Sequence, residues 1–198
     1  MSSVEIPADP ITTPRFVFHR TPLAGVWRVL RNPIRDDRGF FSRFYCAQEF
    51  AAIGITTPVA QINHSSSRQS GTVRGLHFQH PPHAETKVVT CIAGRIFDVA
   101  VDLRRGSPTF LRWFGAELSA ENQQSLVIPP GFAHGFQTLT ADCELIYLQT
   151  AAYRPAAEAA LNATDPRLSI AWPLEITKMS DRDRAVSMLT AEFDGIEP

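Results

Sequence analysis

Residues 95–103 read Arg-Ile-Phe-Asp-Val-Ala-Val-Asp-Leu and alternate between two faces along their whole length. One face carries Phe97, Val99, Val101 and Leu103, and the other carries Ile96, Asp98, Ala100 and Asp102. A repeat of two residues places alternate side chains on opposite sides of a β-strand. This stretch is therefore the clearest predicted strand of the chain, with one wholly apolar face.

Short apolar runs separated by turn residues continue this pattern on both sides. We expect further strands near residues 88–92, 125–128, 136–139 and 145–149. Helices are expected only at residues 47–53 and in a segment that opens near Ser180. Repeated short strands with fifteen Pro and eleven Gly indicate a mainly β sandwich or barrel with a few short peripheral helices.

The composition is that of an ordinary globular chain, with 44% hydrophobic and 20% charged residues. The length of 198 residues predicts a single domain over residues 1–198, with residues 1–15 as a possible loose arm. The net charge of −1 gives no indication of nucleic-acid binding, and no apolar run reaches membrane-spanning length. The amino end shows no signal-peptide pattern and the three Cys are scattered, which predicts a cytoplasmic protein with reduced thiols.

Four side chains with useful chemistry lie in strand-like sequence. Arg74 and His77 belong to one segment, Lys87 begins the next, and His134 follows the Pro-Pro-Gly turn. His77 lies between two apolar neighbours, so in a strand it points away from the layer against which they pack. A lone His is more often structural, but three cations with little acid nearby other than Glu85 are costly to place together unless an anion binds. Such a set can remove a carbon-bound proton, stabilise the resulting oxyanion and hold a phosphate.

The spacing of His77 and Gln79, with His134 beyond the turn, is similar to the two motifs of cupin barrels. Metal-binding cupins place a second His where this chain has Gln79, and Glu85 falls slightly late for the acidic ligand. Two good ligands are left, one fewer than a protein metal site normally has. A metal-dependent oxygenase or isomerase is therefore disfavoured.

Tyr147 and Asp183 each allow two interpretations from the sequence alone. Tyr147 is either a core residue with a satisfied hydroxyl or a proton donor at the mouth of a barrel. Asp183 follows Ser180 by the spacing of a helix capping box, and local evidence favours this interpretation. The alternative places Asp183 against His77 as an orienting partner, which requires the carboxyl-terminal segment to fold back over the barrel.

Together these segments resemble the dTDP-4-dehydrorhamnose 3,5-epimerase family over residues 35–189. The motifs that carry the resemblance are Asp37-Arg-Gly-Phe-Phe41, Gln61-Ile-Asn63, Arg74-Gly-Leu-His-Phe-Gln79, Lys87-Val-Val, residues 97–104, Pro130-Gly-Phe-Ala-His-Gly-Phe136 and Ser180-Asp-Arg-Asp183. The resemblance implies a cupin-like double-stranded β-helix, or jelly-roll barrel, that assembles as a homodimer. It also implies epimerisation of a nucleotide-linked 4-keto-6-deoxyhexose, most simply a dTDP sugar, with no metal and no organic cofactor.

The resemblance implies a role for each matching position. His77 becomes the general base oriented by Asp183, Tyr147 becomes the general acid, and Lys87 polarises the C4 carbonyl oxygen of the sugar. The positions implied to bind the sugar, the phosphates and the nucleotide are Arg38, Phe41, Arg43, Gln61, Asn63, Arg74, His134, Tyr153, Glu158 and Arg182.

The nucleotide side of this site departs from the family pattern. Arg38 and Phe41 match positions expected from the neighbouring subunit, but Arg43 stands where the family usually has Glu. The proton-transfer set is intact, so it is a firmer prediction than the identity of the nucleotide. The alternatives are an epimerase of one centre only, an enzyme for a differently linked nucleotide sugar, and a non-catalytic sugar-binding cupin.

Overall fold

The computed structural model describes residues 9–197, which form mainly antiparallel strands. In chain order these strands are β1 (Ile11–Thr12), β2 (Phe16–Arg20), β3 (Trp27–Arg31), β4 (Ile34–Asp36), β5 (Gly39–Phe41), β6 (Gln61–Ser67), β7 (Val73–Gln79), β8 (Lys87–Ala93), β9 (Arg95–Asp102), β10 (Trp113–Ser119), β11 (Gln124–Ile128), β12 (Phe132–Thr138), β13 (Cys143–Gln149) and β14 (Glu158–Ala160). The helical elements of this range are α1 (Ala47–Phe50), a 3-10 turn (Ala51–Ile53) and α2 (Asp181–Arg184). The predicted mainly β fold with short helices is confirmed.

Two sheets face each other across an apolar core. The large sheet has the strand order β1-β2-β3-β11-β8-β13-β6, and the small sheet has the order β10-β9-β12-β7-β14. From β6 onward the chain passes repeatedly from one sheet to the other, which is the arrangement of the expected jelly-roll barrel. Among the described strands, β4 and β5 form a separate hairpin that belongs to neither large nor small sheet.

The alternation predicted for β9 is confirmed, and each face of the strand enters a different core. Ile96 and Ala100 point between the sheets, where they belong to the same cluster as Leu145 of the large sheet. Val99 points outward and is covered by the carboxyl-terminal segment, including Met179. Full burial of such a side chain contributes about 1.5–3 kcal/mol, so both faces hold β9 in place. The carboxyl-terminal segment thus folds back over the small sheet.

The outer face of the large sheet is covered by α1. Phe50 of this helix is fully buried and packs edge-on against Phe16 and Phe18, with ring centroids 5.0 Å and 5.2 Å apart. Only part of the possible loose arm expected at residues 1–15 is described by the structure. Residues 1–8 lie outside the described residues, whereas Ile11–Thr12 pairs with β2.

Two elements differ more than the others from those expected from the sequence. The strand expected at residues 136–139 is β12, and it begins at Phe132. Gly131 has a φ of +86° that closes the Pro-Pro-Gly turn, so strand pairing starts directly after it and includes His134. The helix expected at residues 47–53 is divided into α1 and the 3-10 turn, which ends at Gly54 with a φ of +85°.

Strands β7 and β12 approach each other closely because both have glycine at the same point. A Cβ atom on Gly75 would lie 2.6 Å from the Cα of Gly135, and Gly75 has a φ of +119°. The pairing register shifts here, between His134 and Phe136. Beyond this irregularity His134 lies directly opposite His77, so the two histidines share one face of the small sheet.

Candidate active site

A cavity of about 280 Å³ lies between the sheets, where both present polar side chains. The residues expected at the site that line it are Gln61, Asn63, Arg74, His77, Lys87, His134, Tyr147, Tyr153 and Glu158. A wider groove of about 670 Å³ also reaches Arg74 and is lined by Arg182 and Asp183. We assign the chemistry to the smaller cavity because its walls contain the imidazole, the phenol and the ammonium group together.

His77 and Asp183 form a hydrogen-bonded pair at this cavity. His77 Nε2 lies 2.7 Å from Asp183 Oδ1, and Asp183 Oδ2 accepts from the Gly75 N–H at 3.3 Å. Burial is the largest influence on this carboxyl and raises its pKa, but the hydrogen bond and charge of His77 hold the net pKa below the ordinary value. An ionised Asp183 accepts Nε2–H and leaves a free lone pair on Nδ1 of His77.

The capping interpretation of Asp183 also holds, because it uses a different atom. The Asp183 backbone N–H donates to Ser180 Oγ at 3.0 Å and so caps α2. Arg182 Nη2 lies 3.0 Å from the same Nε2 of His77. Nε2 cannot donate to Asp183 and accept from Arg182 at once, and the shorter contact with the buried carboxylate favours donation. Arg182 donates through Nη1 to Glu158 Oε2 at 2.9 Å.

Lys87 enters the cavity from β8 and is held beside a carboxylate. Its Nζ lies 3.1 Å from Glu85 Oε1 and donates to the carbonyl oxygen of His77 at 3.2 Å. Gln79 Nε2 donates to Glu85 Oε2 at 2.8 Å, so the carboxylate is itself fixed. These contacts give the Lys87 ammonium a defined position in the cavity wall.

Tyr147 reaches the cavity from β13, in the sheet opposite His77. Its hydroxyl lies 3.0 Å from Ser65 Oγ, and its ring packs edge-on against His134 with centroids 6.1 Å apart. Burial raises the pKa of Tyr147 far above its ordinary value, although the hydrogen bond with Ser65 works in the opposite direction. The phenol is therefore protonated at neutral pH. Both interpretations of this residue apply, since it packs in the core and lines the cavity.

His134 has a carboxylate partner that sequence reasoning missed. Its Nε2 lies 2.7 Å from Oδ1 of Asp98, whose side chain is fully buried. Burial is the largest influence on Asp98 and raises its pKa, against the opposing effects of His134 and Lys87. The sequence of residues 95–103 contains a sign of this carboxylate, because Asp98 lies on the same face of the predicted strand as Ile96. Only the strand pairing reveals which residue it meets.

Amide and phenol groups form the rim of the cavity. Gln61 Nε2 and Asn63 Nδ2 both donate to Gln149 Oε1, at 2.5 Å and 2.8 Å. Tyr153 donates its backbone N–H to Gln61 Oε1 at 2.8 Å and its hydroxyl to Glu158 Oε2 at 2.8 Å. The rim is thus a connected network whose amide and phenol groups can exchange partners with a polar ligand.

Arg74 lies at the border between the cavity and the wider groove. Its Nε donates to Ser67 Oγ at 3.0 Å, and its Nη2 donates to the carbonyl oxygen of Ser66 at 2.9 Å. Both partners are neutral. The positive charge is therefore available to an anion in either space.

Three of the expected site residues, Arg38, Phe41 and Arg43, line neither the cavity nor the wider groove of their own chain. Arg38 pairs with Asp36 inside the β4–β5 hairpin, with Nη2 and Oδ2 2.5 Å apart. Phe41 lies on the same hairpin with 64% of its surface exposed. Arg43 Nη1 lies 3.3 Å from Oε1 of Glu49. The structure therefore separates the residues expected to transfer protons from three of those expected to bind the nucleotide.

Within residues 9–197, no group of three or more His, Cys, Asp or Glu side chains is arranged to hold a metal ion. The Nε2 atoms of His77 and His134 each contact a carboxylate instead. In the same range, no helix has the length and apolar character needed to cross a membrane.

Known proteins are similar to this chain over most of its length. The model of the dTDP-4-dehydrorhamnose 3,5-epimerase family matches residues 20–191. The dTDP-4-dehydrorhamnose 3,5-epimerase of Salmonella typhimurium is 44% identical over 156 residues, which cover 78% of this chain and 85% of that protein. The dTDP-4-dehydrorhamnose 3-epimerase of Streptomyces niveus is 38% identical over 173 residues, which cover 87% of this chain and 83% of that protein.

A solved structure extends this similarity to the fold. The dTDP-6-deoxy-D-glucose-3,5-epimerase of Legionella pneumophila, in complex with dTDP-4-keto-L-rhamnose, superposes with a TM-score of 0.85 at 37% identity. The match covers 92% of this chain and 99% of that one, and it confirms the cupin-like barrel. With the family model spanning residues 20–191 and relatives above 40% identity, this chain belongs to the dTDP-4-dehydrorhamnose 3,5-epimerase family.

Proposed function

We propose that this protein is an isomerase that inverts C3, C5 or both in a nucleotide-linked 4-keto-6-deoxyhexose. The proposed reaction converts dTDP-4-dehydro-6-deoxyglucose to dTDP-4-dehydrorhamnose without a metal or an organic cofactor. The observation that carries this proposal is one cavity in which His77, paired with Asp183, and Tyr147 belong to opposite sheets and Lys87 shares the wall. Inversion at carbon through an enolate requires such a base, acid and cation.

The first step removes a proton from a carbon beside the ketone. The C4 carbonyl acidifies the C–H bonds at C3 and C5, and the lone pair on His77 Nδ1 is the proposed acceptor. Asp183 keeps His77 in the tautomer that leaves Nδ1 free, and it stabilises the imidazolium that forms. The electron pair of the C–H bond becomes the C=C bond of the enolate, and the carbonyl π pair moves to oxygen. A positioned base contributes about 10²–10⁴-fold.

Lys87 is the proposed partner of the enolate oxygen. Its ammonium group is already fixed by Glu85 and by the carbonyl oxygen of His77, so little reorganisation is needed when negative charge develops. Preorganised stabilisation of this kind contributes about 10²–10³-fold. Arg74 and His134 would line the sugar and its first phosphate.

Tyr147 is the proposed acid that returns a proton to the opposite face of the sugar. Inversion requires delivery from the side that the base does not occupy, and Tyr147 belongs to the sheet opposite His77. Its raised pKa keeps the phenol protonated until the enolate carbon takes the proton. The phenolate then regains a proton through Ser65 or water.

The number of inverted centres is a separate question. The Streptomyces niveus relative is named a 3-epimerase, whereas the Salmonella typhimurium relative is named a 3,5-epimerase. A substrate whose ring must turn to bring both carbons to His77 needs more room than one presented in a single pose. Inversion of one centre only is therefore the second candidate.

We propose that a partner subunit completes the nucleotide site. Arg38 and Phe41 do not line the cavity of their own chain, although they match nucleotide positions of the family. A homodimer in which this hairpin reaches the other subunit would bring a guanidinium to the phosphates and an aromatic ring to the base. The neighbouring Arg43, which replaces the usual Glu of the family, is paired with Glu49. Calorimetric titration with dTDP, UDP, GDP and CDP would identify the nucleotide.

We place this enzyme in the cytoplasm, where it would supply a deoxysugar nucleotide. Cys46, Cys91 and Cys143 are all free thiols, which suits a reducing compartment. Nucleotide-linked sugars are also products of cytoplasmic metabolism.

Proton exchange with solvent tests the proposed function directly. The purified protein is mixed with dTDP-4-dehydro-6-deoxyglucose in D₂O, and the signals of the C3 and C5 protons are followed by NMR. We expect deuterium at one or both carbons together with the inverted product. Binding without any exchange would favour the non-catalytic sugar-binding cupin, and exchange at C3 alone would establish the single-centre alternative.

A further inference from the structure

Asp98 is a buried carboxylate that has no role in the steps of the proposed reaction. It lies on the face of β9 that carries Ile96 and Ala100 into the apolar core between the sheets. Its Oδ1 lies 2.7 Å from Nε2 of His134, whereas its Oδ2 has no hydrogen-bond donor among the described residues. A buried acceptor without a donor destabilises the fold, so an acid at this position is a poor choice for packing alone.

Two histidines of the cavity wall are thus each paired with an Asp, and the two pairs have opposite surroundings. In the first pair, Asp183 accepts from the Gly75 N–H as well as from His77, and these donors stabilise a negative carboxylate. In the second pair, Asp98 accepts from His134 alone among the described residues, within an apolar core. A net negative charge is tolerated in the first pair and is costly in the second.

Proton counting shows the chemical consequence of this difference. A His–Asp pair with a single proton on Nε2 has a net charge of −1, and its Nδ1 is an acceptor. When Nδ1 carries a second proton, the pair is neutral overall, whether the shared proton lies on Nε2 or on the carboxyl group. Nδ1 is a donor in both of these neutral arrangements. The surroundings of Asp98 favour the neutral pair.

We propose that Asp98 is a positioning residue that keeps His134 as a hydrogen-bond donor, with Nδ1–H available to the sugar carbonyl oxygen as it becomes an enolate oxygen. The identity of this acceptor rests on the proposed function, whereas the proton content of the pair does not. His134 lies opposite His77 on the same face of the small sheet, so the donor and the base meet the sugar from one wall. No bond to His134 or Asp98 breaks as negative charge grows on the oxygen.

The other groups that face Asp98 are compatible with this state. They come from β12 (His134), from β8 (Lys87 and Cys91) and from β13 (Tyr147). Burial raises the pKa of Cys91 to about 12 and raises that of Tyr147 further, so neither supplies negative charge at neutral pH. Lys87 adds positive charge, which lowers the cost of placing the shared proton on His134 rather than on Asp98.

Nitrogen-15 NMR of the histidine rings in the intact protein tests the proton content without any substrate. The His134 signals are assigned by their loss in His134→Gln. At neutral pH we expect a protonated Nδ1 on His134 and an unprotonated Nδ1 on His77. An unprotonated Nδ1 on wild-type His134 at neutral pH would overturn the proposal, whatever the variants do.

Asp98→Asn tests the role in the reaction. An amide oxygen can accept Nε2–H but cannot hold a shared proton, so His134 should lose the hydrogen on Nδ1 and kcat should fall about tenfold to a hundredfold with little change in KM. Asp102→Asn is the matched control, because it removes a buried Asp from the same strand outside the cavity and should leave kcat and the His134 signals unchanged.

Two further outcomes decide between the proposals. A normal kcat in Asp98→Asn, with the His134 signals altered, would refute the donor role. A wild-type protein that has a protonated His134 Nδ1 but is inactive on 4-keto sugars would count against the proposed function and would remove the acceptor from this inference.

Discussion

His77 and Tyr147 face one cavity from two sheets, so their substitution should separate removal of the proton from its return. We expect His77→Asn to reduce deuterium exchange at the sugar carbons by about 10²–10⁴-fold. The fold should be retained, because the His77 side chain is partly exposed and an Asn amide can still donate to Asp183. NMR exchange rates and circular dichroism provide the measurement. Exchange near the wild-type rate in a folded variant would rule out His77 as the base.

Tyr147→Phe should have a different effect, because it removes the hydroxyl and keeps the ring that packs against His134. Exchange at the carbon that His77 deprotonates should persist, while formation of the inverted product should fall by about 10²-fold or more. Product analysis and exchange are measured in the same sample. Loss of both to the same extent would point to impaired binding rather than to a missing acid.

At the scale of single residues, the sequence predicts which residue types form the site better than it predicts which residues contact one another. Asp183 shows why: local spacing reveals its backbone contact with Ser180, but the contact of its carboxylate with His77 depends on a chain reversal. Asp98 was visible as an acid on an alternating strand, yet its contact with His134 follows from strand register. Contacts between distant segments are fixed by packing, which no local pattern encodes.

Among the elements, β9 and β6 show what makes a strand easy or hard to predict from the sequence. β9 was found within one residue because its alternation is local and apolar. β6 was not predicted, since its inward side chains are the amides and hydroxyls of the cavity and its one large apolar residue, Ile62, is 65% exposed. Polar lining removes the hydrophobic repeat on which strand prediction depends.

The end of β9 supplies a prediction about acid stability. Asp102 accepts from Arg104 Nη2 at 2.7 Å and from the hydroxyls of Ser107 and Thr109 at 2.6 Å each. Burial is the largest influence and raises the pKa of this carboxyl, but these three donors together hold it below the ordinary value. A lowered folded-state pKa stabilises the protein above the unfolded pKa of about 3.9, and this contribution is lost as the pH falls.

Asp102→Asn should therefore lower the free energy of unfolding by about 1.5–3 kcal/mol at neutral pH. The difference from wild type should shrink below about pH 4, where the wild-type carboxylate also becomes protonated. Urea unfolding at several pH values measures both quantities. A difference that stays constant with pH would show that the carboxylate charge contributes nothing and that shape alone matters.

For the whole molecule, the β4–β5 hairpin is the feature that a single chain leaves incomplete. It exposes Ile34, Phe40 and Phe41, by 47%, 58% and 64%, and an isolated two-stranded hairpin is only marginally stable in water. We expect Phe41→Ser to shift the protein toward monomer in sedimentation experiments and to weaken dTDP binding. Met188→Ser, which replaces an apolar residue that is 47% exposed elsewhere, is the control.

A dimer unaffected by Phe41→Ser, with unchanged nucleotide affinity, would contradict the role proposed for the hairpin. Retention of the dimer with weaker binding would instead keep Phe41 at the nucleotide and assign assembly to another surface.

The position of Asp183 after β14 in the chain determines when the proposed base can first be oriented. A ribosome-bound chain that extends through β14 already contains His77, Lys87 and Tyr147, but it lacks the carboxylate that is proposed to orient His77. That carboxylate arrives only when α2 has emerged and docked against β7, together with the segment that covers the small sheet. Since domains acquire their tertiary contacts as synthesis proceeds, the proposed base would become oriented only after all the strands from β1 to β14 have been made.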